Sequence, residues 1–399
     1  MKEVKFVHAS DIHVGGFAGR ALRVKEEETL TTFVNRCIDE KVDFVVLAGD
    51  TFDSNIPPIR EAIMFSKQMR KLKEAGIRVY AVYGSHDYSP TRDSLIELLE
   101  ADGVLTVINN EVQDPSGVWL NGVHGLVGAK EVYRFGEPEL AAKHKPSIFV
   151  FHTAVYEANM TPKELSVPIT NLPPGYTYYA AGHLHKRIEL RSMEGSPINY
   201  PGPLFLGWSK ADLENYFRGS DTGFYIVELE GDGNPRFEYV SLRGIQGGLV
   251  EVSAEGRSAA EVSGDVERKT SELIGSLPSG SVVLIKISGR LSTGTRAEVS
   301  IGLEKLRRKH AEYEFEINDR QLSDPEEVEV ERGEQFEERA ITKLAAEFPV
   351  KVEPAFIQQL IHALGEEQPE GMTKADYEEA VRSKCAQLLR HTLGNQVFE

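Results

Sequence analysis

The chain has 399 residues, 41% hydrophobic and 27% charged, a balance that excludes a disordered polypeptide and leaves room for two or three domains. A net charge of −17 excludes broad, passive adhesion to nucleic acid, and no apolar run is long enough to cross a bilayer. Two cysteines, Cys37 and Cys385, exclude a disulfide framework; with an opening stretch that enters a strand pattern and carries no secretion signal, they point to a reducing cytoplasm.

Residues 4–9 read as a short apolar strand ending at Ser10-Asp11, followed by a glycine-rich loop (Gly15, Gly16, Gly19) and a helical pattern over 24–40. Residues 42–48 are nearly all apolar, the mark of a strand covered on both faces. Pro57-Pro58 opens a helix whose Ile59, Ile63, Met69 and Leu72 recur at helical spacing, and Gly76 closes it. A strand at 77–82 leads into Tyr83-Gly84-Ser85-His86-Asp87-Tyr88, and 92–100 is a short helix. This alternation predicts parallel strands joined by right-handed crossovers.

Short strands are expected over 103–127, core strands at 147–151 and 178–181 with a turn at Pro173-Pro174-Gly175, and closing strands at 198–205 and 223–229. Together these make a first domain over 1–232. A smaller α+β domain over 233–322 is expected to hold strands at 237–242, 282–287 and 312–317 and helices at 259–274 and 296–310. Residues 333–399 read as amphipathic helices, with Phe336, Ile341, Leu344 and Phe348 on one stripe and Phe356, Ile357, Leu360, Ile361 and Leu364 on another.

Five strand ends carry chemistry: Asp11-x-His13, Gly49-Asp50, Gly84-Ser85-His86-Asp87, His152, and Gly182-His183-x-His185. Mixed carboxylate and imidazole donors suit Mn²⁺, Fe²⁺ or Zn²⁺ better than Ca²⁺. In Asp-x-His and His-x-His the outer residues share one face if the backbone is extended, so each pair could grip one metal or two adjacent ones. Two such ions can clamp a phosphate and activate water for in-line attack. Singly, each feature has a plain alternative: a turn, a surface pair, a hydrogen-bonded core histidine. Their joint occurrence in order, each at a strand's C-terminal end where α/β sheets bind ligands, does not.

These motifs, with the fuller Gly49-Asp50-Thr-Phe-Asp53, resemble the five motifs of calcineurin-like metallophosphoesterases, and among them the Mre11/SbcD-like DNA-repair nucleases. The resemblance covers about the first 190 residues. It implies an α/β fold, a four-layered α/β sandwich, followed by a smaller α+β capping domain that contacts DNA and a C-terminal helical segment. It implies that Asp11, His13, Asp50 and His185 hold one metal and that Asp50, position 85, His152 and His183 hold the other, most simply as two Mn²⁺ ions. His86 would stabilise or protonate the leaving oxygen without holding metal, oriented by Asp87. The expected activity is two-metal hydrolysis of DNA phosphodiesters by an exo- and endonuclease in break or end processing. Expected partners are DNA, a Rad50/SbcC-type ATPase at the C-terminal helices, and a second copy of the chain, with no membrane. The third motif departs from the family: Ser85 stands where asparagine is usual, either as a variant with altered metal affinity or as a change that damages activity. The rivals are a phosphomonoesterase or cyclic-nucleotide phosphodiesterase on the same fold, and a DNA-end-binding scaffold with a weakened metal site. Arg20, Arg23, Lys130, Arg134, Lys186 and Arg187 are candidate phosphate contacts, and Phe17 and Tyr88 could stack on a base or pack.

Overall fold

The computed structural model describes residues 3–17, 19–89, 91, 94–207, 209–231 and 234–325, together with 356, 359, 364 and 381–388. Met1–Pro325 forms one compact unit and Glu326–Glu399 another. Of the two C-terminal stripes, only Phe356, buried, and Leu364, exposed, are among the described residues; the remaining members lie outside them.

Strand Val4–Ala9 lies between Gly223–Leu229, its antiparallel neighbour, and Phe44–Ala48, its parallel one; Arg78–Val82 and Thr106–Val107 extend the parallel side. Arg236–Ser241 pairs antiparallel with Gly223–Leu229 and completes a six-stranded sheet. That strand, grouped by sequence with the second region, is thus the edge of the first sheet. A second six-stranded sheet has a parallel centre of Trp119–Val123, Ser147–His152, Tyr178–Gly182 and Pro197–Tyr200.

The apolar strands explain the layering. Side chains alternate along a strand, so one that is apolar throughout must be covered on both faces. In Phe44–Ala48, Phe44, Val46 and Ala48 face the second sheet and meet Ile148, Val150 and Tyr178. Val45 and Leu47 point outward to Leu30, Phe33, Phe65 and Met69. These come from helices Arg20–Asp39 and Ile59–Glu74, which cover the outer face of the first sheet. The outer face of the second sheet is closed by Phe135, Leu140, Leu172 and Tyr176, carried on 3-10 turns and loops. The order is helices, sheet, sheet and a cover of short turns, an α/β sandwich of four layers.

A third, four-stranded sheet is built on a β-α-β-α-β frame: Gly247–Ser253, helix Ala259–Ile274, strand Val282–Thr293, helix Arg296–Lys309 and strand Glu314–Ser323, with the two-residue strand Arg257–Ser258 also against Val282–Thr293 and all pairings parallel. It has a core of its own, including Val250, Val262, Ile285 and Leu303. Helix Lys210–Phe217 packs against it, bringing Leu213 and Tyr216 to Val282 and Leu284. Among the described residues no helix is long and apolar enough to cross a membrane.

Candidate metal centre

The candidate ligands lie where parallel strands of both sheets end, but they do not converge by strand alternation. Val4–Ala9 stops short of Asp11, and Tyr178–Gly182 stops short of His183. Asp11, His13, Asp50 and His183 all have positive φ, at 50°, 48°, 47° and 91°. Shared faces on extended backbone, the basis on which the pairs were expected to act, are therefore replaced by left-handed turns. Such conformations cost about 1 kcal/mol or more apiece and persist only where the surroundings over-determine them. Here a ladder of loop bonds does so: the amides of Asp11, His13 and Val14 donate to the carbonyls of Gly49, Asp50 and Thr51, each at 3.0 Å.

Close approach also decides two glycines. A Cβ on Gly84 would collide with the Asp50 carboxylate, and one on Gly182 with the Ala48 carbonyl. Both positions need a residue without a side chain for space.

The donor atoms gather in overlapping groups: Asp11, His13 and His185; His13, Asp50 and His86; and Asp11, Asp50 and His152, the atoms of each lying within 4.8 Å of one another. Asp50 is common to two of them. Its Oδ2 lies 3.1 Å from His152 Nε2 and 3.6 Å from His13 Nε2, while its Oδ1 accepts the His86 amide at 2.9 Å. His13 Nε2 faces His185 Nε2 at 3.0 Å, and His185 Nε2 lies 3.7 Å from Asp11 Oδ1. His183 belongs to none of these groups; its ring lies 5.2 Å from that of His152, and its amide donates to both Asp11 oxygens. Ser85 is half-buried in the same loop as His86.

The donor set fits a divalent metal. His152 Nδ1 donates to the Ala48 carbonyl at 2.8 Å, which turns the buried Nε2 toward Asp50 Oδ2, 3.1 Å away. Two imidazole nitrogens facing each other beside two buried carboxylates are better satisfied by a shared cation than by each other. Burial lowers His13 and brings His183 down to about 4, which favours the neutral, ligating imidazole. His152 is different: burial, the largest single effect, pulls it down, but the charge and hydrogen bond of Asp50, the charge of Asp11 and the bond to the Ala48 carbonyl together outweigh it and hold His152 up at about 10. A bound cation would take the place of that proton.

The structure reassigns the supports. Asp87 does not orient the His86 ring: its carboxylate accepts the amides of Thr51 and Phe52 at 2.9 Å and of Gly84 at 3.1 Å, pinning two motif loops together. Burial, reinforced by nearby Asp50, raises Asp87 to about 6. The His86 ring is instead held by the Asp53 carbonyl, which accepts from Nδ1 at 2.8 Å. Asp53, visible in the second motif, had no role assigned from sequence. Asp212 was missed altogether; its Oδ1 accepts from His185 Nδ1 at 2.9 Å. Its only sequence signal is the capping pattern Ser209-x-x-Asp212, which marks a helix start and not a metal site.

Three of the six candidate DNA contacts, all arginines, are engaged within the protein. Arg187 pairs with Glu189 at 2.7 Å and lies over the Tyr239 ring at 4.5 Å, Arg134 pairs with Glu137, and Arg23 lies 3.9 Å from Glu61. Lys130 and Lys186 are exposed, and the Arg20 side chain lies outside the described residues. Phe17 packs in a core with Leu22 and Phe205, and Tyr88 is half-buried.

Residues 4–187 match the calcineurin-like phosphoesterase family. The chain is 26% identical to the DNA double-strand break repair protein Mre11 of Methanococcus maripaludis over 57% of this chain and 64% of that one. It is 28% identical to the protein of that name from Methanopyrus kandleri, over 71% and 64%, and 25% identical to that from Archaeoglobus fulgidus, over 84% and 78%. The chain thus spans less than two thirds of the first two relatives' length.

Proposed function

We propose, from the premise that this chain carries a calcineurin-like metallophosphoesterase domain and is a metal-dependent phosphoesterase, that its substrate is DNA and its reaction the hydrolysis of phosphodiesters at DNA ends. The observation that carries this reading is Asp50, a buried carboxylate shared between two donor groups with the His86 ring in one of them. Archaeal relatives named for DNA double-strand break repair support the choice of DNA.

Asp11, His13, Asp50 and His185 would hold one ion and Asp50, His152, His183 and Ser85 a second, and divalent ions so held, Mn²⁺ foremost, neutralise phosphoryl charge and acidify an attacking water. The protein's own part is positional. The His86 amide and the surrounding loop fix Asp50. The Asp53 carbonyl accepts a hydrogen bond from His86 Nδ1, which leaves Nε2 to face the leaving oxygen; in its imidazolium form His86 gives up the Nε2 proton there and is left neutral with its remaining proton on Nδ1. The four-stranded sheet would serve as the cap over DNA. The C-terminal helices would dock a Rad50/SbcC-type ATPase, and the apolar face of Ile59–Glu74 would hold a second copy of the chain.

The test is degradation of labelled single- and double-stranded DNA with Mg²⁺, Mn²⁺ or Zn²⁺ by the parent, His86→Ala and Ser85→Asn. The parent should cleave with Mn²⁺. His86→Ala should keep its metal content and lose about 100- to 10,000-fold in rate, while Ser85→Asn should bind the second ion more tightly. A parent that binds DNA ends yet cleaves with no metal would replace the nuclease with the end-binding scaffold that a weak ligand at Ser85 favours.

A further inference from the structure

Asp212 sits at the third position of helix Lys210–Phe217 and divides its two oxygens between two tasks. Oδ2 accepts from the Ser209 amide at 3.0 Å and the Ser209 hydroxyl at 2.7 Å, closing a capping box. Oδ1 accepts from His185 Nδ1. A carboxylate is needed for both, because each task requires an acceptor. Space around the pair is tight: a Cβ on Gly207 would lie 2.7 Å from both Asp212 Oδ2 and His185 Nδ1.

The same helix is fastened along its length to the four-stranded sheet. Lys210 Nζ donates to the Ile317 carbonyl and lies 3.9 Å from Glu316. One turn further on, Glu214 pairs with Lys286 at 2.7 Å, in the central strand of that sheet. Arg218, just past the helix, pairs with both Glu214 and Glu251. The Tyr216 hydroxyl accepts the Ile245 amide at 3.0 Å.

We propose that Asp212 is the positioning residue for the metal ligand His185, and that helix Lys210–Phe217 ties this ligand to the four-stranded sheet, so that the seating of the sheet sets divalent-metal affinity. The proposal rests on the metal-centre reading. With its proton held on Nδ1 by Asp212, His185 presents the Nε2 lone pair to the centre; outer carboxylates of this kind commonly fix both tautomer and ring orientation. An asparagine at 212 offers one acceptor oxygen. The capped Ser209 amide claims it, the amide nitrogen turns to His185 Nδ1, and the imidazole proton moves to Nε2, where it blocks ligation.

The experiment uses the full chain and Mn²⁺ alone, titrated calorimetrically into the parent, Asp212→Asn, Lys286→Met, Glu214→Gln and His185→Ala, with unfolding temperatures recorded for each. Asp212→Asn should weaken one Mn²⁺ site by about 10- to 100-fold. Imidazole ¹⁵N spectra of the metal-free protein at pH 8.5 should show its His185 proton on Nε2, against Nδ1 in the parent. Lys286→Met and Glu214→Gln, remote from every ligand, should weaken the same site by about 3- to 10-fold, a coupling of the size that packed elements transmit. An unaltered tautomer in Asp212→Asn overturns the positioning role. Parent-like affinity in both remote variants overturns the tie to the sheet. Parent-like affinity and stoichiometry in His185→Ala overturns the metal-centre reading itself, whatever the other variants do.

Discussion

Glu26 is a carboxylate at 4% exposure whose Oε1 accepts the Gly15 amide at 3.0 Å, bracing the loop that follows His13. Burial pushes it up to about 7; the Gly15 bond opposes this, and Glu61 and Asp53 add to it. A carboxyl group whose folded pKa is raised stabilises the fold below its unfolded pKa and loses that contribution as pH rises through the folded value. The window therefore runs from about 4.5 to about 7 and is worth on the order of 3 kcal/mol. Glutamine keeps an acceptor for Gly15 and has nothing to titrate. Glu26→Gln should match the parent in urea unfolding at pH 4.5 and exceed it by up to about 3 kcal/mol at pH 8. A difference between the two proteins that does not change with pH would disprove this account of Glu26.

Glycines separate elements that serve the site from elements that only support the fold. Gly264 lies inside helix Ala259–Ile274 with nothing within 4 Å of a built Cβ, so Gly264→Ala should raise stability by about 0.8–1 kcal/mol by helix propensity alone. Gly84→Ala must displace Asp50 and should abolish Mn²⁺ binding at the shared carboxylate, readable by equilibrium dialysis. Parent-like Mn²⁺ retention by Gly84→Ala would show that Asp50 can move without cost. The contrast also explains what sequence made legible. Helices such as Ala259–Ile274 are visible because their apolar period mirrors burial of one face, and strands such as Phe44–Ala48 because an unbroken apolar run mirrors burial of both. The glycine-flanked motifs are visible because close packing at strand ends restricts residue type. The left-handed backbone of Asp11, His13, Asp50 and His183 leaves no such mark, since nothing in an aspartate or histidine announces its φ. Nor does the Asp212–His185 bond, which joins residues 27 positions apart through a helix cap. The strand expected over 312–317 from its alternation begins at Glu314 and runs on to Ser323, past the alternating stretch, and which sheet Arg236–Ser241 joins is decided by its pairing with Gly223–Leu229 and not by its own composition.

On the scale of the whole molecule, one surface is out of keeping with a charge of −17. Ile59, Ile63 and Leu98, at 78%, 50% and 59% exposure, line a groove of about 800 Å³ between helices Ile59–Glu74 and Leu95–Ala101, with Ile56 beside them. Contiguous exposed aliphatics of this kind mark association sites, and a patch that is its own partner across a two-fold axis needs no second protein. A stable pair buries about 800 Å² on each side, and a helix pair laid face to face across this groove supplies aliphatic contact of that kind. Chains of like charge repel, and this repulsion is screened by salt, whereas apolar contact is not weakened by it. The proposed dimer should therefore tighten as salt rises from 0.05 to 0.5 M, against the trend for an interface held by ion pairs. Sedimentation equilibrium should find Ile59→Glu/Ile63→Glu monomeric at concentrations where the parent is dimeric. The candidate ligands lie at strand ends and none is on either helix of the groove, so the variant should retain its Mn²⁺ stoichiometry. A parent that stays monomeric throughout would leave the groove to a different partner, and a double variant that still dimerises would move the interface elsewhere.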